Sequence, residues 1–428
     1  MANENVFNVL QERGLIQQVT NSEALKNLLE KNSVTFYVGI DPTADSLHAG
    51  HLLPIMGMMN MQRHGHKPIA IIGGGTAMIG DPSGKIEMRK ILTREQIAAN
   101  AEKIKKQLGR YLNFEGNQAI FVDNYEWLSE LKYIEFLRDI GKHFSVNRML
   151  SFETFRRRLE TGLTFLEFNY QLLQAYDFLV LNRRYNCLLQ MGGDDQWANI
   201  IAGADLIRRL EGKETYGMTF PLLVTASGAK MGKTESGALW LDPTKTSPYE
   251  YYQYWVNVAD SDLVKFLYFF TLLPGSEIKQ VQDQKDAALN AAKSILAYEA
   301  TKLAHGEKRA QEALSSSMAA FGKRDLPKNI LPSSSIHQEQ IRLAEDGIPK
   351  FAMTVDEIKN NPKIISLLHE QQLVASRSEA RRLIQQGGLY VQNERIQDVE
   401  ARLNESYIAD GKIIIRLGKK KHFQIIII

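Results

Sequence analysis

The sequence is poor in cysteine and has no long hydrophobic run. Cys187 is the single cysteine among 428 residues, which excludes an internal disulfide and fits a reducing compartment. No apolar stretch approaches the roughly 18 residues that a membrane helix needs, and the first residues lack the basic start and apolar core of a secretory signal. We therefore expect a soluble, cytoplasmic protein that has no membrane partner.

Two common phosphate-binding loops are also missing from the glycine-rich segment GGGTAMIGDPSGK. A dinucleotide fingerprint would need glycine in place of Met78, and a P-loop would need glycine in place of Ile79 and serine or threonine in place of Ile86. What remains is a glycine-rich strand end that presents Asp81. Its carboxylate could hold the ammonium group of a ligand, or it could simply cap a turn.

The positive charge is concentrated at the C-terminal end. Residues 374–428 contain 10 Lys and Arg against 6 Asp and Glu, whereas the other 373 residues contain 42 against 43. The net charge of +3 therefore comes from the last 55 residues. A local positive excess attracts polyphosphates, although a solvated basic surface would have the same composition.

Strand-like and helical segments alternate over residues 1–247. VTFYVGI at 34–40, PIAIIGG from Pro68 and CLLQMGG from Cys187 are typical of buried strands, and helical patterns lie between them. This alternation predicts an α/β fold with a Rossmann-like parallel sheet, covered by helices on both faces, as the catalytic domain. Ligands of such sheets bind where strands end and helices begin.

The pattern changes after Pro248. Residues 248–322 show helical periodicity with almost no strand signal, which predicts an all-helical domain. Residues 323–354 contain LPKNILPSSS and no sustained periodicity, so we interpret them as a linker. From 355 to 428, a basic helix, SRSEARRLIQQGG, precedes a strand and the closing IIII run, which predicts a small α+β domain.

The first motif with chemical meaning is YVGIDPTADSLHAGH, which runs from a strand into a predicted helix at 48–64. His48 and His51 share a helical face, and Gly50 would let a flat ring approach the backbone. A helix start with two imidazole donors suits a triphosphate. Two alternatives remain open, a pair of surface histidines and a metal pair that lacks a recognisable third ligand.

A second motif places Tyr170, Gln174 and Asp177 on one helix. Spacings of four and three residues put the three polar groups on the same helical face. The neighbouring leucines and phenylalanine predict that this helix is largely buried, so its polar groups need partners. The partner could be a ligand, or the three residues could form an internal hydrogen-bond network.

A third motif, QMGGDDQW, follows the strand that starts at Cys187. Its glycines, which include Gly193, allow close backbone approach, and Asp195 could accept hydrogen bonds from ribose hydroxyls. The alternative is an ordinary strand-to-helix turn whose aspartate caps the helix.

A fourth motif is KMGKT, with Lys230 and Lys233. Small residues around two lysines predict a cationic loop that could close on phosphates as charge moves to a leaving group. An exposed basic loop without a ligand would have the same sequence.

Taken with the glycine-rich segment that presents Asp81, these motifs resemble, in this order, the class I aminoacyl-tRNA synthetases, and within them the bacterial-type tyrosyl enzymes. HAGH is similar to the HIGH signature of that class, and KMGKT is similar to its KMSKS signature. Ala49 and Gly232 depart from the two signatures in ways that tyrosyl enzymes tolerate. Many of those enzymes have cysteine where this chain has Val38, so we expect one minor contact to the ATP ribose to be missing.

The resemblance implies a role for each matching residue. The residues implied for tyrosine binding are Tyr37, Asp81, Tyr170, Gln174, Asp177 and Gln196. Those implied for ATP binding are Gly39, Asp41, His48, Gly50, His51, Gly193, Asp195 and Lys233. Those implied to stabilise charge during catalysis are His48, His51, Lys85, Arg89, Lys230, Lys233 and Thr234.

The resemblance also implies partners. ATP would enter as a substrate with Mg²⁺, and no tightly bound metal held by the protein is expected. The C-terminal domain resembles an S-four-like RNA-binding fold that would bind tRNA(Tyr) in a homodimer. The residues expected to contact tRNA are Arg377, Arg381, Arg382, Lys419, Lys420 and Lys421.

Three other functions fit parts of the sequence. A tryptophanyl enzyme is disfavoured because an indole offers one donor and no acceptor, which matches the pair Tyr37 and Asp177 poorly. A nucleotidyltransferase with an HxGH site would need neither KMGKT nor a basic C-terminal unit. A non-catalytic RNA-binding relative would be expected to have lost the histidines or lysines, and all of them are present.

Overall fold

The computed structural model describes residues 4–81, 92–223, 233–234, 237–321, 326–327, 329–336, 350–392, 394–409, 411–418 and 421–428. At 161, 233, 234, 237 and 421 it describes the backbone alone. Within these residues, the buried hydrophobic side chains group into three cores, of which the third lies entirely in the C-terminal unit.

A six-stranded sheet organises the N-terminal part. Its strands are β1 Gln18–Val19, β2 Thr35–Ile40, β3 Lys67–Ile72, β4 Ile120–Asp123, β5 Cys187–Gly193 and β6 Tyr216–Phe220. The strand order is β1-β6-β5-β2-β3-β4, and β2 to β6 are parallel while β1 pairs antiparallel with β6. The predicted parallel sheet is confirmed, with a short antiparallel strand added at one edge.

Ten helices pack around this sheet in the described part of the chain. They are α1 Val6–Glu12, α2 Ser22–Lys31, α3 Leu52–Arg63, α4 Arg94–Leu108, α5 Tyr125–Leu128, α6 Tyr133–Asp139, α7 Val146–Ser151, α8 Glu153–Thr161, α9 Phe165–Tyr185 and α10 Trp197–Glu211. A 3-10 turn, Ala49–His51, precedes α3, so the predicted helix at 48–64 begins as a tighter turn.

Local sequence explains why α9, which carries three of the predicted site residues, begins and ends where it does. Thr164 and Glu167 form a capping box that satisfies backbone N–H groups of the first turn. Asn186 ends the helix in the left-handed conformation, with a φ of 50°, which asparagine tolerates better than most residues. The chain then enters β5 directly, which places the helix against the centre of the sheet.

The strand order reverses between β2 and β5. From β2 the chain builds the sheet outward through β3 and β4, and from β5 it builds in the other direction through β6. In open parallel sheets, such a reversal leaves a crevice at the carboxyl ends of the strands. The motifs that follow β2, β3 and β5 therefore converge at this crevice.

A separate two-stranded hairpin carries part of the KMGKT motif. Its strands are β7 Lys233–Thr234 and β8 Gly237–Ala238, paired antiparallel.

The region after Pro248 is helical. Its helices are α11 Pro248–Val256, α12 Asp260–Phe270, α13 Gly275–Val281, α14 Asp286–His305 and α15 Glu307–Phe321. The predicted all-helical character is confirmed for the described residues.

The predicted boundary at 247 is not a packing boundary. The buried guanidinium of Arg13, just after α1, donates hydrogen bonds to the carbonyls of Tyr268, Thr271 and Leu273 at 2.7 to 2.9 Å. Side chains of α1 and α12 also share the first hydrophobic core. The sheet and the helical region thus form one packed body, because the N-terminal helix lies against both.

The predicted linker at 323–354 requires correction at both ends. Leu326, Ile330 and Leu331 are buried in the first core, so the early part packs on the helical region. The strand β9 Lys350–Met353 pairs in parallel with the last strand, so the C-terminal sheet starts before 355. Sequence periodicity missed both features because each segment is only a few residues long.

The C-terminal unit has its own sheet and core. After β9 its strands are β10 Leu389–Val391, β11 Glu394–Arg395, β12 Lys412–Leu417 and β13 Lys421–Ile427, in the order β11-β10-β12-β13-β9. Its helices are α16 Val355–Lys359, α17 Ile364–Glu370 and α18 Arg377–Gln385. The predicted basic helix and closing strand are confirmed. No helix of the described residues is long and apolar enough to cross a membrane.

Candidate active site

A cavity of about 390 Å³ opens at the carboxyl ends of β2, β3 and β5. Thirteen of the predicted tyrosine- and ATP-binding residues line it. They are Tyr37, Gly39, Asp41, His48, Gly50, His51, Asp81, Tyr170, Gln174, Asp177, Gly193, Asp195 and Gln196. Residues up to about 160 positions apart in sequence therefore line the same cavity, as expected where the strand order reverses.

The predicted cationic residues are only partly described. Lys85, Arg89 and Lys230 lie outside the described residues. The backbones of Lys233 and Thr234 form β7, and their side chains are outside the description as well. Their roles stay predictions.

The backbone sets the orientation of the two histidines. His48 Nδ1 accepts a hydrogen bond from the backbone N–H of Gly50 at 3.0 Å, and His51 Nδ1 accepts one from the N–H of His48 at 3.1 Å. A backbone N–H can only donate, so each Nδ1 must be unprotonated and each neutral ring carries its proton on Nε2. The two rings, 4.0 Å apart between centroids, thus act as a pair of Nε2–H donors.

Gly50 is required at the turn that holds these rings. A Cβ added at Gly50 would lie 2.7 Å from Cε1 of His48. Any side chain would therefore push the imidazole out of its position at the start of α3.

Asp177 supplies a buried carboxylate at the inner end of the cavity. Its Oδ1 accepts from Trp127 Nε1 at 2.7 Å, and its Oδ2 accepts from Asn124 Nδ2 at 2.9 Å. Burial raises the pKa of Asp177 to about 7, although both donors act to lower it, and the carboxylates of Asp41 and Asp123 add to the rise. The group is therefore held in place but remains close to its titration point at neutral pH.

Tyr37 provides the second polar group at this end. Its side chain is 1% exposed, its ring lies 5.3 Å from that of Phe178, and its hydroxyl has no hydrogen-bond partner among the described residues. Burial and the nearby Asp177 raise the pKa of Tyr37 well above its ordinary value. A buried hydroxyl beside a buried carboxylate matches a ligand that both donates and accepts, as a phenol does.

A chain of amides joins other predicted residues. Gln196 Nε2 donates to Asp81 Oδ2 at 2.7 Å, and Asn199 Nδ2 donates to Gln196 Oε1 at 3.1 Å and to Gln174 Oε1 at 3.0 Å. Asp81 and Gln174, 93 positions apart in sequence, are thereby held in one network. This places a carboxylate and an amide where an ammonium group could bind.

Asp41 belongs to a second chain of hydrogen bonds. Its carboxylate accepts from Tyr170 Oη at 2.9 Å and from Thr76 Oγ1 at 2.8 Å, and Thr76 Oγ1 accepts from Asn124 Nδ2 at 3.0 Å. Asn124 also bonds to Asp177. The resemblance assigns Asp41 to ATP, but these contacts place its carboxylate beside a predicted tyrosine-binding residue.

The two adjacent aspartates after β5 have different surroundings. Asp194 Oδ1 accepts from Gln18 Nε2 at 2.7 Å and from Thr219 Oγ1 at 2.8 Å, which anchors the turn to β1 and β6. Asp195 lines the cavity, and a Cβ at Gly193 would lie 2.6 Å from its Oδ1. Glycine at 193 therefore leaves the Asp195 carboxylate room beside the strand end.

The sequence did not indicate several residues of the site: Thr76, Asn124, Trp127, Gln190 and Asn199. Asn124 and Trp127 follow β4, a four-residue strand that was not predicted. Gln190 lies in β5, lines the cavity, and its buried Oε1 has no partner among the described residues. For Asn124, an available signal was the polar pair Asp123–Asn124 at the end of the β4 segment.

The predicted tRNA contacts lie far from this cavity in the sequence. Arg377, Arg381 and Arg382 are exposed on α18, where Arg377 lies 3.7 Å from Glu370. Lys419 and Lys420 are outside the described residues, and Lys421 contributes its backbone to β13.

No group of three or more His, Cys, Asp or Glu in the described ranges has the geometry of a metal site.

Comparison with known proteins identifies the family. A family model described as tRNA synthetases class I (W and Y) matches residues 29–322, and one described as the tyrosine–tRNA ligase SYY-like C-terminal domain matches residues 340–425. The tyrosine–tRNA ligase of Clostridium botulinum is 52% identical over 423 residues, which are 99% of each chain. The chain belongs to the tyrosine–tRNA ligase family. The tyrosine–tRNA ligases of Desulfosudis oleivorans and Caldanaerobacter subterraneus are 50% and 51% identical, also over 99% of both chains.

Solved structures show the same fold. A C-terminally truncated mitochondrial tyrosyl-tRNA synthetase of Coccidioides posadasii is 33% identical with a TM-score of 0.63, covering 73% of this chain and 91% of its own. One from Aspergillus nidulans is 29% identical with a TM-score of 0.67, covering 74% and 94%. A tryptophanyl-tRNA synthetase of Encephalitozoon cuniculi shares the fold at 14% identity, with a TM-score of 0.55, covering 75% of this chain and 94% of its own. The fold alone therefore does not distinguish tyrosyl from tryptophanyl enzymes. The relatives that match over the full length of the chain do, because they are tyrosine–tRNA ligases. The predicted family and fold class are confirmed.

Proposed function

We propose that this tyrosine–tRNA ligase activates L-tyrosine with ATP and transfers the tyrosyl group to tRNA(Tyr). The observation that carries the proposal is the cavity itself, which combines a buried acceptor–hydroxyl pair, Asp177 and Tyr37, with the two Nε2–H donors of His48 and His51. The test is tyrosine-dependent exchange of pyrophosphate into ATP, assayed with each of the twenty amino acids. Exchange supported by another amino acid instead of tyrosine would refute the assignment.

Tyrosine is placed with its phenol at the inner end of the cavity. The substrate hydroxyl would donate to Asp177 and accept from Tyr37, which fills the unmet hydrogen bond of the Tyr37 hydroxyl. The ammonium group would bind to Asp81, with Tyr170 and Gln174 beside it. Because Asp41 bonds to Tyr170, we extend this ammonium site to include the Asp41 carboxylate.

ATP is placed along the two histidines. Their Nε2–H groups and the backbone at the start of α3 would donate to the phosphates, and Asp195 would accept from the ribose hydroxyls. Gly39, Gly50 and Gly193 leave room for the nucleotide near the backbone. ATP brings Mg²⁺ with it as part of the substrate.

The adenylation step needs positioning and charge neutralisation. The carboxylate oxygen of tyrosine attacks the α-phosphorus in line, the new O–P bond forms, and the bond to the bridging oxygen of pyrophosphate breaks. The nucleophile is already an anion, so no general base is required. The predicted role of Lys85, Arg89, Lys230, Lys233 and Thr234 is to stabilise the departing pyrophosphate. In the second step, a terminal ribose hydroxyl of tRNA attacks the carbonyl carbon and AMP leaves.

Binding of tRNA is assigned to the C-terminal unit. Three exposed arginines on α18 and the Lys419–Lys421 run supply the positive charge that a phosphate backbone requires. In this assignment the catalytic domain would carry out adenylation, the helical region would pack beside it, and the C-terminal unit would bind RNA. We further propose that the protein acts in the cytoplasm, where the thiol of Cys187 stays reduced.

We also propose a homodimer, and we locate its interface on α6 to α9. Six large hydrophobic side chains of this region are 43% to 72% exposed. They are Tyr133, Ile134, Val146, Leu159, Phe165 and Leu166. Exposed apolar groups concentrated in one region are typical of an interaction surface, and the resemblance names a second copy as the occupant.

The dimer is tested with two equally exposed isoleucines. Ile134→Glu should convert the protein to monomers in light scattering, because it would bury a charge in the interface. Ile428, which is 71% exposed against 72% for Ile134, gives the control Ile428→Glu. A dimer that survives Ile134→Glu would place the interface elsewhere.

A further inference from the structure

The segment Leu239–Asp242 is bonded directly to the loop that carries His48. The backbone N–H of Ala49 donates to the carbonyl of Leu239 at 2.9 Å, and the N–H of Leu241 donates to the carbonyl of Leu47 at 2.8 Å. These two bonds make His48 and Trp240 partners in an antiparallel bridge. We name Leu239–Asp242 the strap.

The strap connects the two signature motifs of the chain. It begins immediately after β8, the second strand of the hairpin that contains Lys233 and Thr234. Its other end is fixed to the first motif, since the N–H of Asp242 donates to Ser46 Oγ at 3.2 Å. The hairpin and the histidine loop are therefore joined by a short covalent and hydrogen-bonded connection.

The side chain of Trp240 lies against the ring of His48. Their ring centroids are 5.8 Å apart with an interplanar angle of 71°, which is an edge contact. The imidazole also lies 4.0 Å from the ring of His51 between centroids, and its Nδ1 accepts a hydrogen bond from the N–H of Gly50. Trp240 thus packs against an imidazole whose Nδ1 is already fixed by the backbone.

Trp240 is itself held firmly. The ammonium group of Lys245 lies 4.9 Å from the centroid of its ring, and its backbone N–H donates to Thr246 Oγ1 at 3.1 Å. Lys245 also forms an ion pair with Asp45, which pairs with Lys103 of α4 at 3.0 Å. The indole does not line the cavity, so it touches His48 without reaching the substrate.

We propose that Trp240 is a positioning residue for His48, and that the strap couples the position of the KMGKT hairpin to the orientation of that imidazole. This rests on the proposed role of His48 as a donor to the phosphates of ATP. Loss of the indole leaves the two backbone bonds of the strap in place and allows the His48 ring to turn. The Nε2–H donor then spends less time aimed at the phosphates.

The first experiment compares Trp240→Leu and Trp240→Phe by the single-turnover rate of tyrosyl adenylate formation. Trp240→Leu should slow this step by about threefold to tenfold, the size of a lost aromatic contact, while the equilibrium dissociation constant for tyrosine stays unchanged. Trp240→Phe keeps a ring edge and should restore most of the rate. The matched control is Phe121→Leu, which removes another half-buried edge contact, with Phe114 at 6.4 Å, outside the cavity.

The second experiment is a double-mutant cycle with His48→Ala. If Trp240 acts through His48, Trp240→Leu should have no further effect once the imidazole is gone. An equal loss of rate on both backgrounds, or no loss on the native background, overturns the proposal. If Trp240→Leu does not fold, the same cycle is run with Trp240→Phe. The loss of rate should then be smaller than for Trp240→Leu, and it should occur only where His48 is present.

The two proposals fail in different ways. Absence of tyrosine-dependent pyrophosphate exchange in the unaltered protein would refute the proposed function. Normal exchange in the unaltered protein together with additive effects in the cycle would refute only the role of Trp240.

Discussion

At the scale of single residues, the phenol site is defined by two groups that few ligands could satisfy together. The Tyr37 hydroxyl is buried and has no partner among the described residues, and the Asp177 carboxylate is held by two donors that point it toward the cavity. A ligand that lacked a hydroxyl would leave the buried Tyr37 hydroxyl unpaired, at a cost of about 1 to 3 kcal/mol, and would offer the Asp177 carboxylate no third donor. Selectivity for tyrosine over phenylalanine follows from this penalty.

Tyr37→Phe should narrow the tyrosine-to-phenylalanine ratio of kcat/KM by about tenfold, because it removes the hydroxyl that phenylalanine would leave unpaired. The measurement is pyrophosphate exchange with each amino acid. Tyr176→Phe serves as the control, since Tyr176 packs on Phe136 and does not line the cavity. An unchanged ratio in Tyr37→Phe would remove this hydroxyl from the recognition of the phenol.

Asp177 should make stability depend on pH in an unusual direction. Its pKa is raised to about 7 in the folded protein, whereas an unfolded aspartate titrates near 4. The folded state therefore binds more protons between these values, so the free energy of unfolding falls as pH rises from about 4 to about 7 and then levels off. The loss is at most about 1.4 kcal/mol per pH unit.

This dependence is measured by urea unfolding between pH 5 and pH 8, comparing the native chain with Asp177→Asn. The amide does not titrate, so the stability of the native chain should decline relative to the variant up to about pH 7. A difference between the two proteins that stays constant across this range would show that Asp177 titrates normally.

At the scale of elements, a single buried guanidinium bonds the end of α1 to the helical region. Arg13 satisfies three carbonyl groups at the end of α12 and beyond it, and each bond connects segments more than 250 residues apart. Hydrogen bonds from a charged group contribute more than neutral ones, and the carbonyls would lose their donors if the guanidinium were removed.

Arg13→Met keeps the length of the side chain and removes its donors. We expect the free energy of unfolding to fall by about 2 to 4 kcal/mol. Arg63→Met is the control, because Arg63 is exposed at the end of α3. Equal stability of the two variants in chemical denaturation would contradict the proposed role of Arg13.

At the scale of the whole molecule, the chain should separate into an adenylating part and an RNA-binding part. The cavity lies wholly before Leu239, and the C-terminal unit has its own core. The predicted end of the helical domain at 322 favours a cut there. The structure moves that cut to 336, since Leu326, Ile330 and Leu331 cover the first core and Ser333 and Ser335 bond to α13 and α14.

A protein truncated after 336 should form tyrosyl adenylate at the native rate and lose most tRNA charging. Two mitochondrial tyrosyl-tRNA synthetases that share this fold were solved as C-terminally truncated chains. Both half-reactions are measured on the same preparation. Full tRNA charging by the truncated protein would mean that the C-terminal unit only stabilises the fold.

The intact protein should bind tRNA with a steep dependence on salt. Changing Arg377, Arg381 and Arg382 to Gln should reduce the slope of log affinity against log salt by roughly two. The reason is that the loss of three phosphate contacts lowers the number of counterions released on binding. Lys359→Gln is the control, since Lys359 lies 3.9 Å from Glu405. A slope that does not change would assign the arginines to the solvated surface.

Much of the catalytic fold and most of the site could be predicted from sequence because their signals are local. Strand β5 is a short apolar run, and helix α9 has apolar residues that recur along it. The spacing of Tyr170, Gln174 and Asp177 fixes them on one face of α9 without reference to the rest of the chain. The glycine and the two histidines of HAGH likewise lie within a single turn. Short-range geometry is set by the backbone, so the order of residue types is enough to define it.

Only the tertiary structure decided what each of these groups contacts. Asn124 and Trp127 reach Asp177 across about 50 residues, from a short strand with little sequence signal, and their bonds and the burial of the carboxylate set its pKa. The contact of Trp240 with His48 arises from pairing between segments almost 200 residues apart. Such contacts depend on where the sheet brings strand ends together, and residue order within one segment does not contain that information.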